Sequence, residues 1–484
     1  MAPILTAQSA GFGAQQVVTA ATSGVIHVST VDIDGDGFVD ILSASEFDDK
    51  IAWYANDGAG GFGPQQVITS LADGAFHVAS GDLDGDGDVD VLSASFRDNT
   101  VAWYENLGSG SFGSAQVING AASMARCVTT ADLDGDGDLD VLSASQGDST
   151  IAWYANDGAG SFGAPQVIST ATLYAFSVQT GDLDGDGDVD VVSASVGDRK
   201  VAWYENDGTG TFGAQQVIND NVLGARAVLT FDADGDGDLD VLSAGQNDDT
   251  IAWYENDGLG AFGAARIVTT LADGAHGIFA SDIDGDGDLD VLSASIFDSR
   301  VAWYANDGLG NFGTQQTIAT TANSVRNVCA ADLDGDGDND VLAAARGHSR
   351  VYLYENLTPP LPDVLGVGCA GLALSGSAMQ LNTDWSLELA NVSSISPNGL
   401  IFFGETAFST GIPLSPGCNV YTTATLGYYI VPTVNGVCTF NLTIPNFPIL
   451  LGFELAVQGT AGSPDPAAWD GVAVSNGLLG TIGL

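Results

Sequence analysis

Basic residues are scarce in this chain. Its 484 residues include 11 lysines and arginines against 62 aspartates and glutamates, which gives a formal net charge of −51. Proteins that bind nucleic acid need clustered cations to replace the counterions of the phosphates, so no nucleic-acid partner is expected. Long hydrophobic runs are also missing. The best stretch, Ile449 to Val457, is short and contains Glu454, so no membrane span is predicted.

Two further absences narrow the fold class. No segment keeps a helical hydrophobic period over a useful length, which argues against helical domains. Met1 to Gly11 has neither a basic region nor a sufficiently long apolar core, so no signal peptide is predicted within this sequence. The chain is nevertheless 45% hydrophobic, and this excludes wholesale disorder.

What the chain does contain is an internal repeat with a period of 50 residues. Each copy opens with an aspartate-rich phrase of nine residues, such as D-L-D-G-D-G-D-V-D at 82–90, and the copies begin at Asp32, Asp82, Asp132, Asp182, Asp232, Asp282 and Asp332. An apolar–aromatic phrase follows about twenty residues later, containing Trp53, Trp103, Trp153, Trp203, Trp253 and Trp303, with Leu353 in the seventh copy. A G-x-F-G phrase comes next in six copies.

Each repeat is predicted to form four short strands. In the second copy we expect strands at 76–81, 89–95, 100–105 and 112–118, separated by turns rich in Asp, Gly and Asn. Such units at this spacing are typical of propeller blades. The array stops after the third strand of copy seven, and residues 11–18 match the missing fourth strand. The N-terminal strand is therefore expected to close the last blade and hide the ring's edge strands.

The predicted fold class is all-β: a seven-bladed β-propeller of four-stranded blades over residues 1–357, followed by a small β-sandwich. A Pro-rich linker is expected at 358–364 and the sandwich at 365–484, where short apolar runs alternate with Gly, Pro and Asn turns. Among the five cysteines, Cys127 and Cys329 are predicted to be buried and unpaired. Cys369–Cys418 is the preferred disulfide, with Cys438 left over.

Residues 10–356 resemble the VCBS/FG-GAP repeat family, on the seven in-phase copies of the acidic phrase and the repeated F-G phrase. The family includes the integrin α-subunit head and a fungal seven-bladed lectin, and the resemblance implies a role in adhesion or recognition. The ending Ser475-Asn-Gly-Leu is similar to a terminal domain of secreted bacterial repeat proteins.

The acidic phrases are predicted calcium sites. In D-x-D-G-D-G-x-x-D, carboxylates at positions 1, 3, 5 and 9 and the carbonyl at position 7 can surround one ion, and the glycines permit the sharp turn. Two carboxylates about 5 Å apart repel by about 3 kcal/mol at an effective dielectric of 20, so a cluster of four or five requires a cation. Position 12, for example Ser43 or Ser93, is predicted to lie within a strand and is not the glutamate of an EF-hand. Magnesium prefers fewer protein ligands.

About seven Ca²⁺ ions are expected, one per blade, on the following residues: Asp32, Asp34, Asp36, Phe38 (through its carbonyl) and Asp40; Asp82, Asp84, Asp86, Asp88 and Asp90; Asp132, Asp134, Asp136, Asp138 and Asp140; Asp182, Asp184, Asp186, Asp188 and Asp190; Asp232, Asp234, Asp236, Asp238 and Asp240; Asp282, Asp284, Asp286, Asp288 and Asp290; Asp332, Asp334, Asp336, Asp338 and Asp340. Extracellular calcium modules bind at about 10⁻⁴–10⁻³ M, which requires millimolar calcium. The protein is therefore expected to be secreted or displayed at the cell surface.

The face of the propeller opposite the acidic loops is expected to carry the side chains that differ most from one copy to the next. Ten of the 11 cations and all four histidines fall in its predicted hairpins and blade crossings. Arg126, Arg226 and Arg326 share one repeat position near the channel and could hold a carboxylate or a sugar. His27 and His77 occupy matching positions in adjacent blades, where a transition metal could bind, and His276 shares the repeat position of the three arginines. The simpler alternative is that the charged hairpins are ordinary solvated surface. The repeat tryptophans are expected to pack between blades rather than to bind sugar.

The predicted function is an extracellular, calcium-stabilised module for adhesion or recognition, with a glycan or an extracellular protein as ligand, and not an enzyme. One alternative is a structural subunit that self-associates into a filament or surface layer, suggested by one acidic and one partly basic face and an uncharged terminal domain. A second alternative is an enzyme with its site at the channel. No nucleophile–base motif supports it.

Overall fold

The computed structural model describes residues 11–357 throughout, and beyond them only the backbone of the strands between 364 and 481. The chain divides into two compact units, Met1–Thr358 and Pro359–Leu484. Every regular element among the described residues is a β-strand, so the predicted all-β class is confirmed. Within those residues no helix has the length and apolarity to span a bilayer.

The first unit is built from 28 strands in seven four-stranded antiparallel sheets. The strands are β1 (Gln16–Thr19), β2 (Val25–Val31), β3 (Asp40–Ser45), β4 (Lys50–Tyr54), β5 (Gln66–Thr69), β6 (Ala75–Gly81), β7 (Asp90–Ser95), β8 (Thr100–Tyr104), β9 (Gln116–Asn119), β10 (Ala125–Ala131), β11 (Asp140–Ser145), β12 (Thr150–Tyr154), β13 (Gln166–Ser169), β14 (Ala175–Gly181), β15 (Asp190–Ser195), β16 (Lys200–Tyr204), β17 (Gln216–Asn219), β18 (Ala225–Phe231), β19 (Asp240–Gly245), β20 (Thr250–Tyr254), β21 (Arg266–Thr269), β22 (Ala275–Ser281), β23 (Asp290–Ser295), β24 (Arg300–Tyr304), β25 (Gln316–Ala319), β26 (Val325–Ala331), β27 (Asp340–Ala345) and β28 (Arg350–Tyr354).

These strands form the predicted seven-bladed propeller. Six blades use four consecutive strands, β2 to β5 in the first and β22 to β25 in the sixth, and the seventh has the order β1-β28-β27-β26. In that blade β1 pairs antiparallel with β28, with Gln16 opposite Leu353. First strands of neighbouring blades contact one another, and β2 contacts β26 to complete the ring. Closure by the N-terminal strand is confirmed.

Strand bounds differ from prediction most at the fourth strand. In the second blade β9 begins at Gln116, whereas the alternating pattern predicted a start at Phe112. The turn reaches further than expected because Gly110 has a left-handed backbone, with φ of 69°. Phe112 then forms only an isolated bridge to Asn106. The other three strands of this blade shift by one residue at one end.

The core lies between adjacent blades. The repeat tryptophans and the tyrosines that follow them are buried, with exposed fractions of at most 3%. Five of the six indole rings lie against a turn of the next blade: a methyl group added at Gly110 would overlap the six-membered ring of Trp53, and one at Gly160 would overlap that of Trp103. Close packing of this kind makes tryptophan a structural residue here, as predicted, because its ring is not available to a sugar.

The second unit contains β29 (Val364–Leu365), β30 (Ala373–Gly376), β31 (Asp384–Ala390), β32 (Asn398–Gly404), β33 (Ala407–Ser415), β34 (Cys418–Thr422), β35 (Thr425–Val434), β36 (Val437–Thr443), β37 (Glu454–Gly462) and β38 (Val472–Thr481). Eight of them form one sheet in the order β29-β38-β37-β32-β35-β36-β31-β30, while β33 pairs with β34. The assignment of this second unit as a β-sandwich stays a prediction. Residues 358–363 of the linker and the side chains of Cys369, Cys418 and Cys438 lie outside the described residues.

Candidate functional site

The acidic loops follow the first strand of every blade and end where the second strand begins. In the first blade, Asp32 accepts hydrogen bonds from the backbone of Gly35 at 2.8 Å and of Gly37 at 2.9 Å, and equivalent bonds form in the other six loops. Gly37 has φ of 93° and nothing near its missing Cβ, so backbone conformation alone requires glycine there. The carboxylate at position 1 therefore stabilises the folded loop by accepting two of its backbone amides.

Three carboxylates drawn from positions 1, 3, 5 and 9 converge in each of five acidic loops. Side-chain oxygens of Asp32, Asp34 and Asp36 lie within 4.8 Å of one another, as do those of Asp182, Asp184 and Asp190 and three further loop sets. The carboxylate at position 5 accepts the amide of position 7 in all seven loops. Both oxygens of Asp284 are buried and have no hydrogen-bond partner, and the same is true of Asp338. Such oxygens require a proton or a cation.

The aspartate at position 9 is buried and holds the loop against the rest of its blade. One oxygen of Asp90 accepts the amide of Leu83 at 3.0 Å, and the other accepts the amide of Asn106 at 2.8 Å. All seven blades repeat this pair. Burial raises the pKa of Asp90 to about 6 and that of Asp290 to about 8, against the lowering effect of the two amides.

This donor set fits a hard divalent cation of calcium's size. In these five loops only carboxylate oxygens converge, with no nitrogen or sulfur ligand among them, and several loop carboxylate oxygens have no hydrogen-bond partner. The residues that would hold the ion are the aspartates at positions 1, 3, 5 and 9, for example Asp182, Asp184, Asp186 and Asp190 in the fourth blade. A bound cation would supply charge neutralisation there and stabilise the folded loop.

An asparagine that sequence reasoning missed links each acidic loop to the next blade. The Nδ2 group of Asn206 donates to the carbonyl of Leu133 in the preceding blade at 2.8 Å and to that of Val189 in its own blade at 3.0 Å. Equivalent bonds run around the whole ring and close it, because Asn56 of the first blade donates to Leu333 of the seventh. The N-D-G phrase that recurs in five copies could have identified this asparagine from the sequence.

At the opposite ends of the first strands, side chains from all but one of the seven blades surround a cavity of about 300 Å³. We call this the axial mouth. Its lining comes from two repeat positions that differ from blade to blade, and consists of Ile26, Glu46, Phe76, Phe96, Arg126, Phe176, Arg226, Arg326 and Arg346. The structure thus brings together the three arginines that the sequence placed at one repeat position.

Arg126, Arg226 and Arg326 are held without a carboxylate partner. Among the described residues none of the three lies within 4.0 Å of an acid, although most other cations form such pairs. The guanidinium of Arg126 stacks 4.4 Å from the ring centroids of Phe76 and Phe96, and its Nε donates to Gln146 at 2.7 Å. Burial, followed by the neighbouring arginine charges, lowers the pKa of Arg126 to about 10.

Arg226 and Arg326 complete this group of like charges. Arg226 stacks 4.5 Å from the centroid of Phe176, and its Nε donates to Gln246. The Nε of Arg326 is buried and has no hydrogen-bond partner. Burial lowers the pKa of Arg326 to about 10, and the charges of Arg346 and Arg226 add to this effect. All three remain cationic at neutral pH.

Glu46 is the one carboxylate in the lining of the axial mouth, and the sequence prediction overlooked it. Its oxygens already pair with Arg346 at 2.7 Å and with Arg97 at 3.3 Å. The same repeat position holds Phe96, Gln146 and Gln246 in other blades, so comparing the copies at this position would have identified the second ring of lining residues. Four arginines against one glutamate leave the mouth positive in a strongly acidic chain.

A smaller cavity of about 100 Å³ lies on the far side of the three arginines. The rings of His27 and His77 meet there with centroids 3.8 Å apart, and the Cys127 sulfur lies 3.8 Å from His77 Nε2. His276 is 7% exposed; its Nδ1 lies 2.8 Å from the Arg326 carbonyl, while its Nε2 has no partner. Burial lowers the pKa of His77 to about 4 and that of His276 well below its ordinary value. Cys127 and Cys329 are buried and unpaired, as predicted.

Solved structures of several other proteins are similar to parts of this chain. A lectin of Agrocybe aegerita that recognises non-reducing terminal N-acetylglucosamine is 20% identical, with 66% of this chain and 86% of that chain covered and a TM-score of 0.48. BBS1N, solved in complex with ARL6DN, is 13% identical, with 71% and 96% covered and a TM-score of 0.50. The biofilm matrix protein Bap1 of V. cholerae is 13% identical, with 96% and 67% covered and a TM-score of 0.35.

A comparison with curated proteins gives no match. The model of the FG-GAP-like repeat matches six overlapping segments, 32–93, 82–143, 132–193, 182–243, 232–293 and 282–343. Together they span most of the chain, contain all seven acidic loops and end within the second strand of the seventh blade. With these matches and seven blades of the expected topology, the chain belongs to the FG-GAP-like repeat family.

Proposed function

We propose that this protein is a non-enzymatic recognition module of the extracellular space, in which calcium-loaded loops hold the propeller rigid and the axial mouth binds the ligand. The observation that carries the proposal is the convergence of two variable repeat positions on one cavity of about 300 Å³. The acidic loops, by contrast, are nearly identical from blade to blade. Variable side chains on a rigid frame are the usual arrangement of a binding site.

The surface around the mouth also suits recognition. Exposed apolar side chains stand on the same side of the ring, in the hairpins and crossings, including Phe47 at 51% exposed, Phe297 at 63% and Leu71 at 83%. Hydrogen bonds between each hairpin and a crossing, such as Phe47 to Ser23 at 2.9 Å, hold these loops in place. Preordered aromatic and arginine side chains bind partners at low entropic cost.

The chemistry of the smaller cavity, which His27, His77 and Cys127 line, supports binding rather than catalysis. Cys127 is the one thiol near a histidine among the described residues, and burial raises its pKa to about 11. A thiol protonated at neutral pH is a poor nucleophile. The ligand we propose is a glycan or a protein at a cell surface. An external location is supported by the loops, because extracellular calcium sites of about 10⁻⁴–10⁻³ M fill only at millimolar calcium.

A paired substitution tests the site. Labelled protein in millimolar calcium is screened against immobilised glycans and cell-surface proteins, alongside Phe96→Ala at the mouth and Leu259→Ala, a 76% exposed residue on the acidic-loop face. Saturable binding that only Phe96→Ala weakens supports the proposal. No binding across the screen, or equal loss in both variants, contradicts it. Polymerisation of the purified protein without ligand binding would favour the filament alternative.

A further inference from the structure

The axial mouth concentrates positive charge that its one carboxylate, Glu46, balances only in part. Arg126, Arg226 and Arg326 come from alternate blades, and their mutual repulsion acts in a partly dehydrated cavity. Within the described part of the chain no acid lies within ion-pair distance of them, and the one glutamate of the lining is already paired twice. Like charges removed from water raise the free energy of the folded state unless an anion joins them.

One of these guanidinium groups is also incompletely bonded. Arg326 Nε is buried and without a partner, whereas Nε of Arg126 and Arg226 donate to glutamines. Because the glutamines occupy the Nε positions, the terminal nitrogens remain the groups that face the cavity. Paired guanidinium nitrogens match the spacing of two carboxylate oxygens and can bind both.

Glu46 is the carboxylate that lines the mouth beside the arginines. It would repel a second anion but would accept hydrogen bonds from a hydroxyl group. His276 lies outside this lining: its Nδ1 donates to the Arg326 carbonyl, and its unpartnered Nε2 is buried at the smaller cavity.

We propose that the axial mouth binds a hydroxylated carboxylate, namely a single acidic sugar residue whose carboxylate lies among Arg126, Arg226 and Arg326 and whose hydroxyls reach Glu46. A cavity of about 300 Å³ accommodates one such residue. The large negative charge of the whole protein disfavours polyanions and tolerates one carboxylate. This inference rests on the proposed function, since it names the chemistry of the ligand at the same site.

The experiment compares glucuronate with glucose, acetate and sulfate at constant ionic strength and millimolar calcium, by isothermal titration and by melting temperature. Glucuronate is expected to bind and to raise the melting temperature, while glucose does not, and acetate binds more weakly than glucuronate. Arg226→Gln should weaken glucuronate binding about 10- to 100-fold, the loss of one charge-assisted contact. Arg350→Gln removes an exposed arginine outside the mouth and should leave it unchanged.

The readout is the change in melting temperature caused by glucuronate in each variant, so a variant of altered basal stability still gives an answer. No glucuronate effect, or an equal effect in Arg226→Gln, overturns the proposal. Equal affinity for acetate and glucuronate, or a preference for sulfate, overturns the assignment to an acidic sugar. If an uncharged glycan binds and Phe96→Ala abolishes that binding, this inference fails while the proposed function stands. If nothing binds at the mouth, both fail.

Discussion

Replacing Asn206 by alanine should weaken the ring at one defined joint. Its Nδ2 group donates to the buried carbonyl of Leu133 at 2.8 Å and to the part-buried carbonyl of Val189 at 3.0 Å. No other hydrogen bond to either carbonyl is found among the described residues. A buried carbonyl without a partner costs about 1–3 kcal/mol, and an ordinary hydrogen bond contributes about 0.5–1.5 kcal/mol. The expected loss in the free energy of unfolding is therefore about 2–4 kcal/mol.

The assay is equilibrium unfolding in urea, followed by tryptophan fluorescence in saturating calcium. Because Asn206 joins the third and fourth blades, its loss should also lower the m-value as the ring ceases to unfold as one unit. The matched control is Asn221→Ala, since Asn221 is exposed and its side chain makes no hydrogen bond among the described residues. The control should stay within about 0.5 kcal/mol of the unchanged protein. If the free energy of unfolding of Asn206→Ala also stays within about 0.5 kcal/mol of the unchanged protein, these asparagines do not have the role of joining the blades.

Three further outcomes are expected. Burial raises the pKa of Asp290 from 3.8 to about 8, so in chelator the folded state binds more protons than the unfolded state between these values. The free energy of unfolding in chelator should then fall as pH rises from about 4 towards 8, and calcium should abolish that fall; a rise in chelator would contradict it. Gly210→Ala should destabilise by more than about 1 kcal/mol in thermal melts, because the methyl group overlaps the Trp153 ring and Gly210 has φ of 73°; an unchanged melting temperature would show that the ring can move. Burial raises the pKa of Cys127 to about 11 and of Cys329 to about 12, so neither thiol should react with a disulfide reagent at pH 8 until urea unfolds the protein, and rapid reaction when folded would be inconsistent with these sites.

The repeat made the architecture predictable, and single residues decided what was missed. Seven acidic phrases determined the number of blades, and the unmatched phrase before Val18 indicated how the ring closes. The common repeat position of Arg126 and Arg226 predicted that they line one cavity, because equivalent positions on the first strands of all blades face one axis. In a regular repeat protein, therefore, residues at the same repeat position are expected to come together in the folded ring.

Contacts between blades could not be derived in the same way. The amide of Asn206 reaches a carbonyl 73 residues earlier, and its direction depends on how adjacent sheets pack. Glu46 looked like a solvated hairpin residue, yet it pairs with Arg346 across the closure of the ring. Residues beyond 357 lack a repeat, so no periodicity indicated how their strands pair.

The most direct test of the central claim is the number of ions that the acidic loops hold. The purified protein is stripped with chelator, dialysed against millimolar calcium and assayed for bound calcium by atomic emission, with melting curves recorded before and after. The account predicts about seven calcium ions per chain and a melting temperature that rises strongly when they bind. Fewer than two ions per chain, or a melting curve that chelator leaves unchanged, would contradict it.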